Sequence, residues 1–507
     1  MACRGSSHEG GQVMIQQRHF LLCLSLILLL PLILYAEQGV ANDKNTKSID
    51  LPLSLAVKQA LENNLNLKLR QEDVKFAEGG VQSGEGKFDT LLSAEAGAEN
   101  KDVNPIFPGA ASEETRANLS GNLQKTFVTG TEVNLGWNNN RFDTDADNTL
   151  IDPAYNTKLS VGFSQPLLKG WGTDIQTAEI KAAQKQLEAS VYLVNSQAAD
   201  LAALVKNAYW DMVFALQDIE VQRLSLALAN KLLEETKFKI EAGKLARIEL
   251  YQPQSEVARR EEKLIVAERA IGVAEDELKL LLNSEDWFTP LNPTDTPRTN
   301  PVNLDQEGIL KNALTNRPDI KAADLNIQAA RIQAAVAEDN IRPSLAMVGS
   351  FGYGGTDDAY EDALSIALDE PDTEWQVGFN FSVPLQNSFA KGRLTQAMAA
   401  HRKAKTNAKL LRLQVKKSVR TTVRDVKLAI KGMEATRKTS VATSKRLEAE
   451  QAKFEAGSST TLDVLIAQDA YSQALSQENR TNIIYVKALA EIDRIQGLVT
   501  INDDSSQ

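Results

Sequence analysis

Apolar and polar residues alternate one by one in several short stretches of the chain. In EWQVGFNFSV, residues 374–383, every second side chain is large and apolar. KLSVGFS, residues 158–164, and EVNLGWN, residues 132–138, follow the same rule. A period of two predicts β-strands with one apolar and one polar face.

Much longer stretches repeat apolar residues every three or four positions. Residues 174–242 and 389–456 contain no proline and very little glycine. In the first stretch, the spacing of a coiled-coil seam is followed by Leu201, Val205, Ala208, Met212, Leu216, Ile219, Arg223 and Leu226. At ~1.5 Å per residue, each stretch predicts a helix of roughly 100 Å, far longer than a compact domain needs.

Several phrases occur twice in the same order. ALENNLNLK, residues 60–68, matches ALTNRPDIK, residues 313–321. KIEAGKLARIELYQPQ, residues 239–254, matches KFEAGSSTTLDVLIAQ, residues 453–468. Such self-similarity predicts two internal repeats.

The two predicted repeats share one order of elements and are separated by a proline-rich linker at 284–303. The first spans 53–283, with a helix at 53–87, a strand section at 88–168, a long helix at 174–242 and a return helix at 247–283. The second spans 304–497, with a helix at 304–341, a strand section at 343–386, a long helix at 389–456 and a return helix at 460–497, and a polar tail at 498–507 follows.

The N-terminal segment predicts export. Residues 20–35 form an apolar run preceded by basic residues and followed by small ones. This is the pattern of a signal peptide within 1–41, cleaved near Ala36 or Ala41. The run is short for a membrane anchor and contains Pro31.

Composition excludes several classes of function. Both cysteines, Cys3 and Cys23, fall in the predicted signal peptide, and His401 is the only histidine beyond it. We therefore predict no catalytic, cofactor-binding or metal site, and no enzyme activity. The net charge of −11 argues against nucleic acid as a partner.

Alternation alone does not distinguish a half-buried sheet from a membrane β-barrel with a wet lumen. Predicted export and the very long helices favour the barrel. A coiled-coil structural or adhesive surface protein without transport function would explain the helices but not the strands. A periplasmic adaptor would show one central coiled coil rather than two duplicated halves.

The chain resembles the TolC-like outer-membrane efflux proteins of Gram-negative bacteria. The pieces that carry the resemblance are LSLAVKQALENNLNLK (53–68), FSQPLLKGWG (163–172), NRPDIKAADLNIQAA (316–330) and KFEAGSSTTLDVLIAQDAY (453–471). The resemblance implies a mainly α protein in which coiled-coil helices form an α-barrel tunnel continuous with an outer-membrane β-barrel. It implies a homotrimer with four strands per copy, in contact with outer-membrane lipid and with a large periplasmic part.

The resemblance also implies a function and partners. The trimer is expected to be the exit duct of a tripartite efflux or type I secretion system, passing substrates from the periplasm or an inner-membrane pump to the exterior. A periplasmic adaptor is expected to meet the two helix-turn-helix tips at the tunnel mouth. The residues expected at these tips are Ala242, Gly243, Lys244, Leu245, Ala456, Gly457, Ser458 and Ser459.

Two acidic residues are expected near the pore constriction. Asp463 matches the first of two aspartates that narrow the pore in the family, while Ile466 stands at the second position. Asp463 also has capping-box spacing from Thr460, so a purely structural role stays open. Glu249 matches an acidic residue of the family's closing latch, whose usual partners correspond here to Ser459 and Phe454.

Residues 115–141 predict an extra hairpin that turns near Gly130. The hairpin either extends the barrel wall or forms a flap at one side of it, and the sequence leaves both open. In the second half the equivalent loop, 354–373, is acidic and is expected to hold a short helix.

Overall fold

The computed structural model describes residues 48–147 and 149–499. The predicted signal peptide with both cysteines, and residues 500–507 of the predicted tail, lie outside the described residues. Within the described ranges, no helix combines the length and the apolar character that crossing a membrane requires.

The first half of the chain contains a short strand, a helix pair, four long strands, a short helix and two long helices. Its elements are β1 (Ile49–Leu51), α1 (Leu53–Asn63), α2 (Leu65–Glu85), β2 (Thr90–Asp102), β3 (Glu113–Thr126), β4 (Glu132–Thr144), β5 (Ala154–Pro166), α3 (Thr173–Gln176), α4 (Ala178–Glu241) and α5 (Tyr251–Leu282).

The second half begins with a short strand and follows a similar order with only two long strands. Its elements are β6 (Leu291–Pro293), α6 (Gln306–Asn316), α7 (Pro318–Asp339), β7 (Ser344–Asp357), α8 (Tyr360–Asp369), β8 (Asp372–Ser382), α9 (Ser388–Glu455) and α10 (Thr461–Gln496).

The first helix of each half is broken, where the sequence predicts it to be continuous. Asn64 leaves the helical conformation and caps α2 by accepting hydrogen bonds from the N–H groups of Asn66 and Leu67. Arg317 leaves it in the same way, because Pro318 at the start of α7 disfavours helical geometry in the residue before it. Asn64 and Arg317 stand at equivalent positions of the repeated phrases.

Six strands form one antiparallel sheet in the order β2-β3-β4-β5-β7-β8. The expectation of four strands per copy is therefore wrong for the described sheet. The difference is the predicted extra hairpin, which is β3 and β4. It is not a separate flap, because β3 pairs with β2 and β4 pairs with β5 along nearly their whole lengths.

The long helices pack side by side. α4 packs against α2, α5, α7 and α10. α9 packs against α6, α7 and α10. The main core lies where these helices meet the ends of the shorter ones. Its most enclosed members include Val57, Val205, Tyr209, Val419 and Tyr485.

The proline-rich segment between the halves is tied to the helices by two buried tyrosines. The hydroxyl of Tyr209 lies 3.0 Å from the carbonyl oxygen of Leu51 and 2.7 Å from the carboxylate of Asp295. Tyr485 donates a 2.7 Å hydrogen bond to the carbonyl oxygen of Asn300. Burial raises the pKa of both phenols, so each stays neutral and able to donate.

Candidate functional sites: two helix tips and a two-faced sheet

The first tip comprises Ala242, Gly243, Lys244 and Leu245, at the end of α4. Gly243 has φ of 72°, the left-handed conformation that ends a helix. The N–H of Gly243 donates to the carbonyl of Ile240 (2.9 Å), and the N–H of Lys244 donates to that of Lys239 (2.9 Å). This pair of bonds is a Schellman motif.

The second tip comprises Ala456, Gly457, Ser458 and Ser459, and it repeats the same motif at the end of α9. Gly457 has φ of 77°. Its N–H donates to the carbonyl of Phe454 (3.1 Å), while the N–H of Ser458 donates to that of Lys453 (2.9 Å). Both tips are largely exposed, so each presents a glycine turn to the surroundings.

Lys239 joins the two tips, which the sequence analysis does not foresee. Its Nζ lies 3.6 Å from the centre of the Phe454 ring and also donates to the carbonyl oxygen of Phe454. Phe454 is 2% exposed and packs with Leu232, Val464 and Leu465. The sequence feature that could have indicated this contact is the lysine that the two repeated phrases share. It places a cation beside the last carbonyls of a helix.

Asp463 lies in a complete capping box at the start of α10. Its N–H donates to the hydroxyl oxygen of Thr460 (3.2 Å), and its carboxylate accepts from the N–H (3.3 Å) and the hydroxyl (2.6 Å) of Thr460. These bonds hold the pKa of the exposed Asp463 below its usual value. Ile466, one turn further, is 47% exposed.

Glu249 is exposed, in a single helical turn at residues 247–250. The structure does not pair it with the two residues that correspond to the family's latch. The hydroxyl of Ser459 donates instead to Glu450 (2.7 Å), and the ring of Phe454 contacts the ammonium group of Lys239. Over the described part of the chain, the Glu249 carboxylate makes no ion pair.

The six-stranded sheet has one apolar and one polar face. A row of directly paired residues crosses every strand on the apolar face: Leu92, Leu123, Leu135, Val161, Phe351 and Trp375. The next row crosses the polar face: Ser93, Asn122, Gly136, Ser160, Gly352 and Glu374. Most of the apolar face is not covered, since Trp375 is 73% exposed and Phe379 is 65% exposed. Only its end at Thr157 and Gly355 is covered within the described chain, because α8 packs there on β5 and β7.

Both edges of this sheet are open. β2 at one edge and β8 at the other have nearly every residue exposed. They are 13 and 11 residues long, and each has a neighbour on one side within the described chain. Long unprotected edges are templates for pairing with another strand.

Comparisons with known proteins match these features. A profile of the family described as outer membrane efflux protein matches residues 130–284 and 309–498, which is more than half of the chain. The outer membrane protein TolC of Vibrio cholerae is 27% identical over 388 residues, covering 73% of this chain and 82% of that protein. The pyoverdine export outer membrane protein OpmQ of Pseudomonas putida is 23% identical over 365 residues, covering 69% and 73%.

Solved structures agree in fold. The CmeC outer membrane channel of Campylobacter jejuni has a TM-score of 0.67 at 15% identity, with 88% of this chain and 85% of that chain covered. The outer-membrane channel OprN has a TM-score of 0.67 at 16% identity, with 88% and 89% covered. The chain belongs to the outer membrane efflux protein family and is an outer-membrane exit duct of efflux systems.

Proposed function

We propose that three copies of the chain form a continuous tube, with the sheets closed into a barrel in the outer membrane and the long helices forming a tunnel in the periplasm. The observation that carries this proposal is the sheet with two open edges and a largely uncovered apolar face. A closed barrel pairs every edge and places the apolar face against lipid.

The proposed barrel is tested by arginine substitutions on neighbouring residues of β8. Trp375 lies on the apolar face and Gln376 on the polar face. Trp375→Arg would place a charge in lipid, at ~2–4 kcal/mol near mid-bilayer. We expect outer-membrane fractions to lose the trimer of this variant, whereas Gln376→Arg assembles normally. Equal behaviour of the two variants, or recovery of a soluble monomer from the wild type, contradicts the proposal.

The two halves of the chain are proposed to be repeats, spanning 53–283 and 304–497. The matched helix breaks at Asn64 and Arg317 support this, as do the identical Schellman motifs at Gly243 and Gly457. A trimer would then present six similar tips from three chains.

The tips are proposed to meet a periplasmic adaptor, which connects the duct to an inner-membrane pump of an efflux or type I secretion system. Exposed apolar residues next to the turns support this contact, among them Phe238 and Ile248, each 71% exposed. A photo-crosslinking residue at Ser458 should give an adduct with a periplasmic protein, and one at Glu220, far along α4, should not. Adducts of equal yield at both positions exclude a contact specific to the tips.

Asp463 and Glu249 are proposed to lie at the narrow mouth of the tunnel. Three exposed carboxylates of Asp463 near a threefold axis would favour cations. Asp463→Asn should therefore lower cation preference in planar-bilayer recordings, and Ile466→Asp should raise it. If the asparagine variant keeps the wild-type preference, Asp463 is a helix cap alone.

A further inference from the structure

The hairpin of β3 and β4 lies inside the six-stranded sheet rather than beside it. All 13 residues of β2 pair with β3, from Thr90 opposite Lys125 to Asp102 opposite Glu113. β4 pairs with β5 from Glu132 opposite Ser164 onward. The hairpin therefore separates β2 from β5 along their whole lengths.

The hairpin continues both faces of the sheet in the half next to its turn. Five of its large apolar side chains are on the apolar face, in line with those of the other strands: Leu119, Leu123, Val133, Leu135 and Trp137. Phe142, near the far end of β4, is on the polar face. Its residues on the polar face are Asn118, Ser120, Asn122, Gln124, Asn134 and Asn138. A hairpin that formed a flap in water would have no need of an apolar stripe in register with the apolar face.

Side chains join the hairpin to the strand that follows it. The hydroxyl of Thr157, which is fully buried, donates to the amide oxygen of Asn139 (2.9 Å). A Cβ atom at Gly162 would meet the side-chain amide of Asn134 on β4, so this glycine leaves room for that side chain across the strand pair. Gly121 lies opposite Trp137, and a Cβ atom added at Gly121 would be in ordinary van der Waals contact with that ring, at 3.8 Å.

The geometry also allows two strands to be added to a barrel wall without disturbing the rest. β2 and β5 are antiparallel whether or not the hairpin lies between them. Each added antiparallel strand reverses the chain direction once, so two added strands leave the relative direction of β2 and β5 unchanged. The paired rows connect Leu92 through Leu123 and Leu135 to Val161, so both ends of the row share one face.

We propose that β3 and β4 are part of the membrane wall, so that each copy contributes six strands and the trimer closes a barrel of eighteen, three times six. This rests on the proposed trimeric barrel. At equal strand tilt, diameter grows in proportion to strand number, so the barrel is about 1.5 times as wide as one with four strands per copy. The barrel then passes bulky solutes freely, and the tunnel mouth alone limits their size.

The test uses tryptophan fluorescence in vesicles of brominated phospholipid, which quenches only rings that contact acyl chains. The chain has five tryptophans, and variants that keep one are made by replacing the others with phenylalanine. Trp137 reports on the hairpin and Trp375 on β8, while Trp210, which is 3% exposed among the helices, is the unquenched control. We expect Trp137 to be quenched as strongly as Trp375.

The possible outcomes distinguish failure of the six-strand wall from failure of the proposed trimeric barrel. Quenching of Trp375 without quenching of Trp137 leaves the membrane barrel intact and overturns the six-strand wall. Quenching of neither contradicts the proposed barrel itself. Electron cryo-microscopy of the unaltered protein in lipid nanodiscs covers the case in which the variants fail to assemble. Eighteen strands in the ring support the inference, and twelve refute it.

Discussion

Replacing Gly457 by alanine isolates the conformational role of the second tip. A Cβ atom at Gly457 would meet no heavy atom within 4 Å, so the substitution adds no steric clash. The cost comes from φ of 77° alone, because the left-handed conformation costs an L-residue ~1–2 kcal/mol. Gly457→Asn should cost less, since asparagine tolerates this conformation better.

This cost shifts the local opening equilibrium, which determines the rate of hydrogen exchange. The N–H of Gly457 and that of Ser458 are held by the two Schellman bonds, and both are released when the turn opens. A loss of ~1–2 kcal/mol shifts an equilibrium about 5- to 30-fold. Peptides covering residues 453–460 should therefore exchange about 5- to 30-fold faster in Gly457→Ala than in the wild type.

Two matched substitutions control for the change of residue. Gly243 has the same conformation and open surroundings, so Gly243→Ala should accelerate exchange at the first tip by a similar factor. Gly272, inside α5, also has open surroundings but helical geometry, so Gly272→Ala should leave both tips unchanged. Wild-type exchange in Gly457→Ala, or equal acceleration in Gly272→Ala, refutes the argument from φ.

Three further predictions concern charged contacts in the helices. Lys239→Gln removes the cation from the Phe454 ring, so the two tips should lie farther apart. The crosslinking yield between cysteines placed in the two tips should therefore fall, and an unchanged yield contradicts this. The lowered pKa of Asp463 means that its stabilisation is present above its unfolded pKa and disappears as pH falls through the folded value, so melting temperatures of wild type and Asp463→Asn should converge in acid. Arg260, 1% exposed, donates to Glu256 (2.8 Å) and to the carbonyl oxygen of Ser225 (2.6 Å), while Glu256 also accepts from Arg259 (2.7 Å). Arg260→Leu should cost ~1.5–3 kcal/mol in denaturant unfolding because it removes buried charge-assisted hydrogen bonds, and adding Glu256→Leu should not recover the loss because Arg259 keeps Glu256 paired. An unchanged free energy of unfolding in Arg260→Leu contradicts this.

The sequence is informative wherever a local pattern determines the structure. Alternation with period two assigns Leu159, Phe163 and Trp375 to one face, and the register of the sheet places them there. Gly243 and Gly457 end their helices because the left-handed conformation is a local property of glycine. The short helix expected in the acidic loop between β7 and β8 is α8.

Features set by distant neighbours could not be predicted in the same way. The hairpin of β3 and β4 has the same alternation whether it pairs with β2 and β5 or stands apart, so the sequence leaves its place open. The predicted seam of α4 also fails beyond Ile219, where Arg223 is exposed and Val221 and Ser225 are buried instead. The buried side of α4 depends on which helices surround it at each level, and no local spacing encodes that.

The tips and the sheet differ in how far one chain supplies hydrogen-bond partners for its own backbone N–H and C=O groups. At the tips, two Schellman motifs and a capping box supply partners for the terminal N–H and C=O groups. In the sheet, β2 and β8 leave their outer hydrogen-bonding groups unpaired within the described chain, and most of the apolar face has no cover. Helix hairpins can therefore form within a single copy, whereas in the proposed barrel the sheet reaches its stable state only with other copies and lipid. If the proposed barrel is right, assembly in the membrane is the step on which the stability of the sheet depends.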